Sequence, residues 1–312
     1  MNDSADVLGP ESFRMLDAIA RAGSFAGAAR ALGLVPSALS YRVRQIEDAL
    51  DVLLFDRSTR QARPTPAGSE LLAEGERLKR EIDAVVRRVK RVATGWEPEL
   101  RIAADGAIDH GTLIDLCCDF LDTDPPTRLS LREEILSGTL AALTDGEADL
   151  ALGVTLEPAS SVGLRARPLG RARFVYAMAP SHPLAQAAEP IGDAELLPHR
   201  AIVIADSARD QRARSFGLLA GQPSFTVSSL QAKLDAQLRG LGVGFLPEPV
   251  ARPHLQAGRL VARRIERGSY SATLHYAWRA NVVPGRALSW WLERLERPVT
   301  RRALLEGKAT AA

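Results

Sequence analysis

SFAGAARALGLVPSALSYRVRQIEDALDVLLFDRSTRQARPTP, residues 24 to 66, is the stretch whose reading decides the fold. Ser24 is a suitable N-cap for a helix carrying Ala26, Ala28, Ala29 and Ala31, whose small side chains let a second helix cross closely. Gly33 stands where that helix should stop. Pro36 suits the first turn of the next helix, where a missing N–H costs little, and Leu39, Val43, Ile46 and Leu50 follow at helical spacing. Those four face a core, which leaves Ser37, Ala38, Ser40, Tyr41, Arg42 and Arg44 toward solvent in the N-terminal half. A helix, a tight turn, a second helix with a polar outer face and then an arginine-bearing hairpin make up a winged helix-turn-helix, the arrangement that sets side chains against base edges.

The hairpin carries Arg57, Arg60 and Arg63 with no carboxylate among them, so it is read as a phosphate contact. Thr65 at its exit and Ser24 at the first helix start complete the expected DNA-facing set. Upstream, Phe13, Leu16, Ile19 and Ala20 mark one face of a bracing helix over 11–22. Downstream, Pro66 opens a helical segment to about Thr94 in which Leu71, Gly75, Leu78, Ile82, Val85, Val89 and Val92 are spaced alternately four and three apart. That is the 3.5-residue repeat of a coiled-coil seam and predicts a homodimer joined through Leu71, Leu78, Ile82, Val85, Val89 and Val92.

From Glu99 the pattern changes to alternating strands and helices: strands at 100–104, 128–135 and 148–154, with helices at 111–121 and 138–143. Two strands near 163–168 and 172–179 follow, then strands at 201–205 and 224–227, a helix at 229–240 and a strand at 242–246. A strand at 273–279 and a last helix at 287–295 complete the reading. The alternation argues for an α/β domain of parallel strands with helical crossovers.

A chain of 312 residues, 46% hydrophobic, can bury about two cores. Its formal net charge of +2 would not announce a nucleic-acid partner, so any basic surface must be local. No stretch approaches a membrane span and the N-terminus has no basic region followed by an apolar run, which predicts a cytoplasmic protein with no membrane partner. Cys117 and Cys118 are adjacent, unsuited to a structural disulfide or a zinc set, and Cys117 falls in phase with Leu113, Leu116 and Phe120 as core packing. The five histidines show no metal-binding pair. Gly240, Gly242 and Gly244 follow a helix and enter a strand, the reverse of a dinucleotide loop, and read as a helix stop and a close-packed strand start. With no catalytic signature, no enzyme, cofactor or metal is expected.

The SFAGAARALG helix, the PSALSYRVRQIEDAL recognition helix, LFDR with Arg57, and the RPTPAG wing exit together resemble the LysR-type transcriptional regulators, and GWEPELRIA at 95–103 looks like that family's junction into an effector domain. One departure is that many members place Gln near the start of the recognition helix, where this chain has Val35 and Pro36. The resemblance implies a DNA reader over 1–66, a linker helix over 67–94, an effector domain over 95–300 and a tail over 301–312. It further implies a periplasmic-binding-protein-like pair of lobes, 99–166 with 273–300 and then 167–272. Ligands in such sheets lie beyond the carboxyl ends of strands. The expected effector contacts are therefore Asp105, Gly106, Ile108, Ser137, Gly138, Thr139, Asp206, Ser207, Ser228 and Ser229, facing a small polar metabolite with an acidic and a donor group. Double-stranded DNA with an interrupted palindrome, pairing of dimers into tetramers, and RNA polymerase are the partners implied. A small-molecule receptor and an α/β enzyme with an appended DNA module stand as alternatives.

Overall fold

The structure is a computed structural model and describes residues 7–56, 61–156, 162–208 and 217–307. The chain divides into two compact units, 1–89 and 90–312.

In the first unit, α1 (Pro10–Ala22), α2 (Phe25–Leu32) and α3 (Pro36–Leu50) enclose a core of Met15, Leu16, Ile19, Ala28, Ala29, Leu39, Val43 and Ile46. Ser24 caps α2 by accepting the Gly27 N–H at 3.2 Å. Gly33 ends α2 in the left-handed region at φ 67°, where a side chain would be strained. The wing is a two-stranded ladder of β1 (Phe55–Asp56) and β2 (Arg63–Pro64), and Phe55 stacks edge-on against Phe25 of α2 at 5.8 Å. Its base is fixed by Glu47, buried at 5% exposure on α3, whose carboxylate accepts the N–H groups of Leu54 at 2.9 Å and Phe55 at 3.4 Å. A buried carboxylate survives when backbone donors satisfy it.

The helix α4 (Pro66–Thr94) is continuous. A Cβ at Gly68 would lie 2.0 Å from the Leu54 carbonyl oxygen, and one at Gly75 would lie 2.3 Å from the Phe13 ring. These glycines let the first turns of α4 lie against the wing and α1, and Leu71 and Leu72 join the reader core. Leu71 and Gly75, the first two positions of the stripe expected as a seam, lie against their own unit. Beyond them Leu78, Ile82, Val85, Val89 and Val92 are exposed, Val92 to 79%.

The second unit is α/β. The strands β3 (Glu99–Asp105), β4 (Arg128–Glu134) and β5 (Leu150–Val154) are parallel, joined through α5 (His110–Leu121) and α6 (Gly138–Thr144). Then comes β6 (Leu164–Met178), one long strand where two were expected. Pro168 and Gly170 read as breakers, but a register shift against its neighbour absorbs them. A 3-10 turn at Pro183–Gln186, the short α7 (Asp193–Leu196), β7 (Ala201–Ile204), β8 (Ser224–Val227), α8 (Leu230–Leu238) and β9 (Gly244–Pro247) follow. The chain continues through α9 (Glu248–Gln256), β10 (Val261–Arg263), β11 (Tyr270–Arg279), α10 (Arg286–Glu296) and α11 (Pro298–Glu306). Among the described residues one sheet orders β10-β6-β11-β5-β3-β4 with β9 also on β6, while β7 and β8 form a separate parallel pair. The strands β6 and β11 run antiparallel to their neighbours and carry the sheet between the parallel group and β9.

The expected tail over 301–312 is helical as far as Glu306, with Leu304 and Leu305 buried beside Trp291 and Tyr276. This correction follows from Arg297 and Pro298, which interrupt the apolar pattern although the chain restarts helically at once. The glycine run behaves as a packing device: Gly240 turns at φ 73°, and a Cβ at Gly242 would lie 2.3 Å from the Arg200 carbonyl oxygen. Cys117 is buried and Cys118 exposed, both unpaired.

Candidate functional site

Two surfaces carry functional chemistry, one in each unit. On α3, burial of Leu39, Val43 and Ile46 turns Ser37, Tyr41 and Arg44 outward as an exposed stripe from the helix start. The side chain of Gln45, which the sequence reading passed over, donates to the Tyr41 hydroxyl at 3.3 Å. Ala38 and Ser40 are half-buried at the flanks. Arg42 leans back on α1, its Nη1 2.8 Å from Glu11 Oε1 and 3.9 Å from Met15 Sδ. Its side chain stays 42% exposed, on the α1 side of the stripe. Arg63 is exposed on β2, with Nη2 3.4 Å from Gln61 Oε1. Arg57 and Arg60 lie outside the described residues. Thr65 is committed to structure: its hydroxyl donates to the Leu53 carbonyl at 2.6 Å and accepts the Gly68 N–H at 3.0 Å.

In the second unit the carboxyl ends of β3 and β4 come together with β7, α8 and β9 around a cavity of about 90 Å³. Asp105, at the end of β3, accepts the Ala107 N–H at 2.9 Å and the Leu136 N–H at 3.0 Å. Burial, with Glu133 and Asp206 adding like charge, pushes its carboxyl up to about 6. Gly106 lines the same cavity beside Ile135, Leu136, Phe174, Ile204 and Leu230. Lys233 on α8 also lines it, buried to 5% exposure, and burial brings its ammonium group down to about 8. A larger hollow of about 470 Å³ adjoins through Asp105, Gly106 and Leu230 and reaches Ile108 and Arg132.

The expected hydroxyl contacts meet one another instead of the cavity. Ser137 donates to Asp206 Oδ2 at 2.5 Å, and Ser207 donates to Glu134 Oε2 at 2.5 Å while accepting the Ile135 N–H at 2.9 Å. A Cβ at Gly138 would stand 1.9 Å from Ser207 Oγ, so this glycine is what lets the segments approach. Thr139 is fully buried and so is not an open contact, while Ile108 packs against Gly153 and borders only the larger hollow. Ser229 caps α8 by accepting the Ala232 N–H at 3.2 Å, and Ser228 is exposed. Of the predicted set, Asp105 and Gly106 line both hollows, and Ile108 lines the larger.

Phe174, Phe245 and Lys233 were missed. A signal for Lys233 was available: it falls three residues after Leu230 and four before Gln237, on the buried side of α8. Among the described residues no cluster of His, Cys, Asp or Glu could hold a metal ion, and no helix is long and apolar enough to cross a membrane.

Comparison with known proteins covers both units. Residues 10–69 match the model described as "Bacterial regulatory helix-turn-helix protein, lysR family", and residues 93–298 match the "LysR substrate binding domain". The chain is 36% identical over 285 residues to the "Probable HTH-type transcriptional regulator YhaJ" of Escherichia coli strain K12, covering 91% of this chain and 95% of that one. It is 33% identical over 257 residues to the "HTH-type transcriptional activator AllS" of Klebsiella pneumoniae, covering 82% and 95%. In fold it resembles full-length CbnR solved in complex with its target DNA, with a TM-score of 0.62 at 20% identity, covering 93% of this chain and 100% of that one.

Proposed function

From the premise that this chain belongs to the LysR family of transcriptional regulators, we propose that it binds an interrupted palindrome in double-stranded DNA as a homodimer, and that dimers pair into tetramers. One observation carries the DNA side of this reading: the burial of α3 leaves Ser37, Tyr41 and Arg44 exposed as a stripe at its N-terminal half. Side chains at the start of a recognition helix reach base edges, while Arg63 on the wing, with Arg57 and Arg60, supplies sequence-independent phosphate contact. The exposed row from Leu78 to Val92 supports the dimer, since five apolar side chains open to water gain from a second copy of the same helix.

The cavity bordered by Asp105 and Lys233 is the effector site in this reading, set between lobes formed by 99–166 with 273–300 and by 167–272. An effector there changes how the two readers sit on a promoter and how RNA polymerase is met. The protein works in the cytoplasm and turns over no substrate. Footprinting of the DNA upstream of its own gene tests the proposal. Protection of two half-sites separated by whole helical turns is expected; a single protected half-site at saturation would refute the dimeric reader.

A further inference from the structure

Lys233 is a cation without a partner. It is 5% exposed, and no hydrogen bond or ion pair of its ammonium group occurs among the described residues. The Nζ atom lies beside β9, 3.3 Å from where a Cβ at Gly244 would stand, and the side chain borders the 90 Å³ cavity. Buried ammonium groups are paired, or they lose their charge. Among the described residues the pairing group is missing, so it comes from what enters the cavity.

The remaining walls say what kind of molecule that is. Phe174 and Phe245 border the cavity, and Tyr270 backs both rings at 5.1 and 6.0 Å. Leu136 and Ile204 extend the apolar lining. A ligand polar on all sides would leave most of its groups unpaired against such walls, whereas a flat apolar body buries its faces there. Asp105 is the other charged group on the wall and accepts two backbone N–H groups, so it remains an acceptor for a ligand hydroxyl or amino group.

We propose that the cavity takes an aromatic monocarboxylate, its carboxylate paired with Lys233, its ring against Phe174 and Phe245, and a hydroxyl or amino substituent meeting Asp105. This narrows the small polar metabolite expected from the sequence and rests on reading the cavity as the effector site.

Calorimetry on the full chain with benzoate, 2-hydroxybenzoate and 2-aminobenzoate, against neutral benzamide and flexible succinate, tests it. At least one aromatic carboxylate should bind, with benzamide and succinate weaker by roughly ten- to a hundredfold. Lys233→Met should weaken that carboxylate by a similar factor, leave affinity for the upstream DNA unchanged, and raise Tm in the absence of ligand by removing an uncompensated buried charge. Failure of all three carboxylates to bind the wild-type chain would overturn the proposal. So would unchanged affinity in Lys233→Met, or a lowered Tm, the mark of a structural lysine. DNA binding that responds only to a neutral or cationic compound would overturn it while leaving the regulator reading standing. A wild-type chain that ignores the upstream DNA would count against the regulator reading alone, because the calorimetry involves no DNA.

Discussion

The reader helices and the effector cavity place their chemistry in opposite ways. On α3 the side chains proposed to meet DNA are those left over when the apolar ones turn inward, so Ser37, Tyr41 and Arg44 stand in water. In the second unit the functional groups are part of the interior. Lys233 and Asp105 come from elements 128 positions apart in the chain, and each holds a charge where burial opposes it. A DNA surface can thus be altered with the fold intact, whereas altering the cavity changes stability and ligand response together. The apolar row on α4 lies between these cases, being exposed in one chain and proposed as the face a second copy covers.

The largest effect should come at that seam. Replacing Ile82 and Val89 together with Lys puts like charges at two seam positions of both partners, and sedimentation velocity at micromolar concentration should show monomers. DNA affinity should fall on the order of a hundredfold or more as two half-sites cease to be bound jointly. An unchanged oligomer would mean that the exposed stripe is covered in some other way.

Asp105 should give the next largest effect and sharpens the contrast with exposed carboxylates. The folded chain keeps its proton up to about pH 6, whereas an unfolded carboxyl loses it near 4. With a raised folded-state value, the stabilising contribution is full below the unfolded value and is lost as pH rises through about 6. Urea unfolding at pH 4, 5, 6 and 7 should show a decline from this group of roughly 2 to 3 kcal/mol that Asp105→Asn removes. A variant with the same pH profile as wild type would put the buried charge elsewhere.

Glu47 separates the reader's interior from its surface. Glu47→Ala leaves the Leu54 and Phe55 N–H groups unpaired and should cost about 1 to 3 kcal/mol in thermal unfolding. Tyr41→Ala and Arg44→Ala should leave the unfolding free energy within about 0.5 kcal/mol of wild type and shift base preference by about 1 to 3 kcal/mol in a binding-site selection. The smallest effect is expected of Arg63→Ala, which should lower the slope of log affinity against log salt by roughly 0.9 without changing the preferred sequence. A change in preferred bases would move Arg63 from the phosphates into a groove.

Legibility followed the same division. The caps at Ser24 and Gly33, the buried face of α3 and the glycine run at 240–244 were readable because each is a local backbone demand met by one residue type. The pairing of Arg42 with Glu11 was not readable, because apolar periodicity distinguishes inside from outside but not which neighbour lies beside a flank. Leu71 was assigned to the seam because the heptad pattern is the same whether a partner helix or the core of its own unit covers it. The two strands expected near 163–168 and 172–179 merged into a single strand, since a bulge is settled by the partner strand.

The sequence by itself determined the winged reader and its outward face, the alternation of strands and helices from Glu99 to Val154, and the apolar row on α4, because these depend on spacing within a few turns or strands. Tertiary structure alone decided that Ser137 and Ser207 bond across to Asp206 and Glu134, that α11 closes the core, and that Lys233 faces a cavity with no counter-ion among the described residues. Those outcomes depend on which distant strands share a sheet and how closely their ends approach, and the free energy that fixes them is burial shared among residues far apart in the chain.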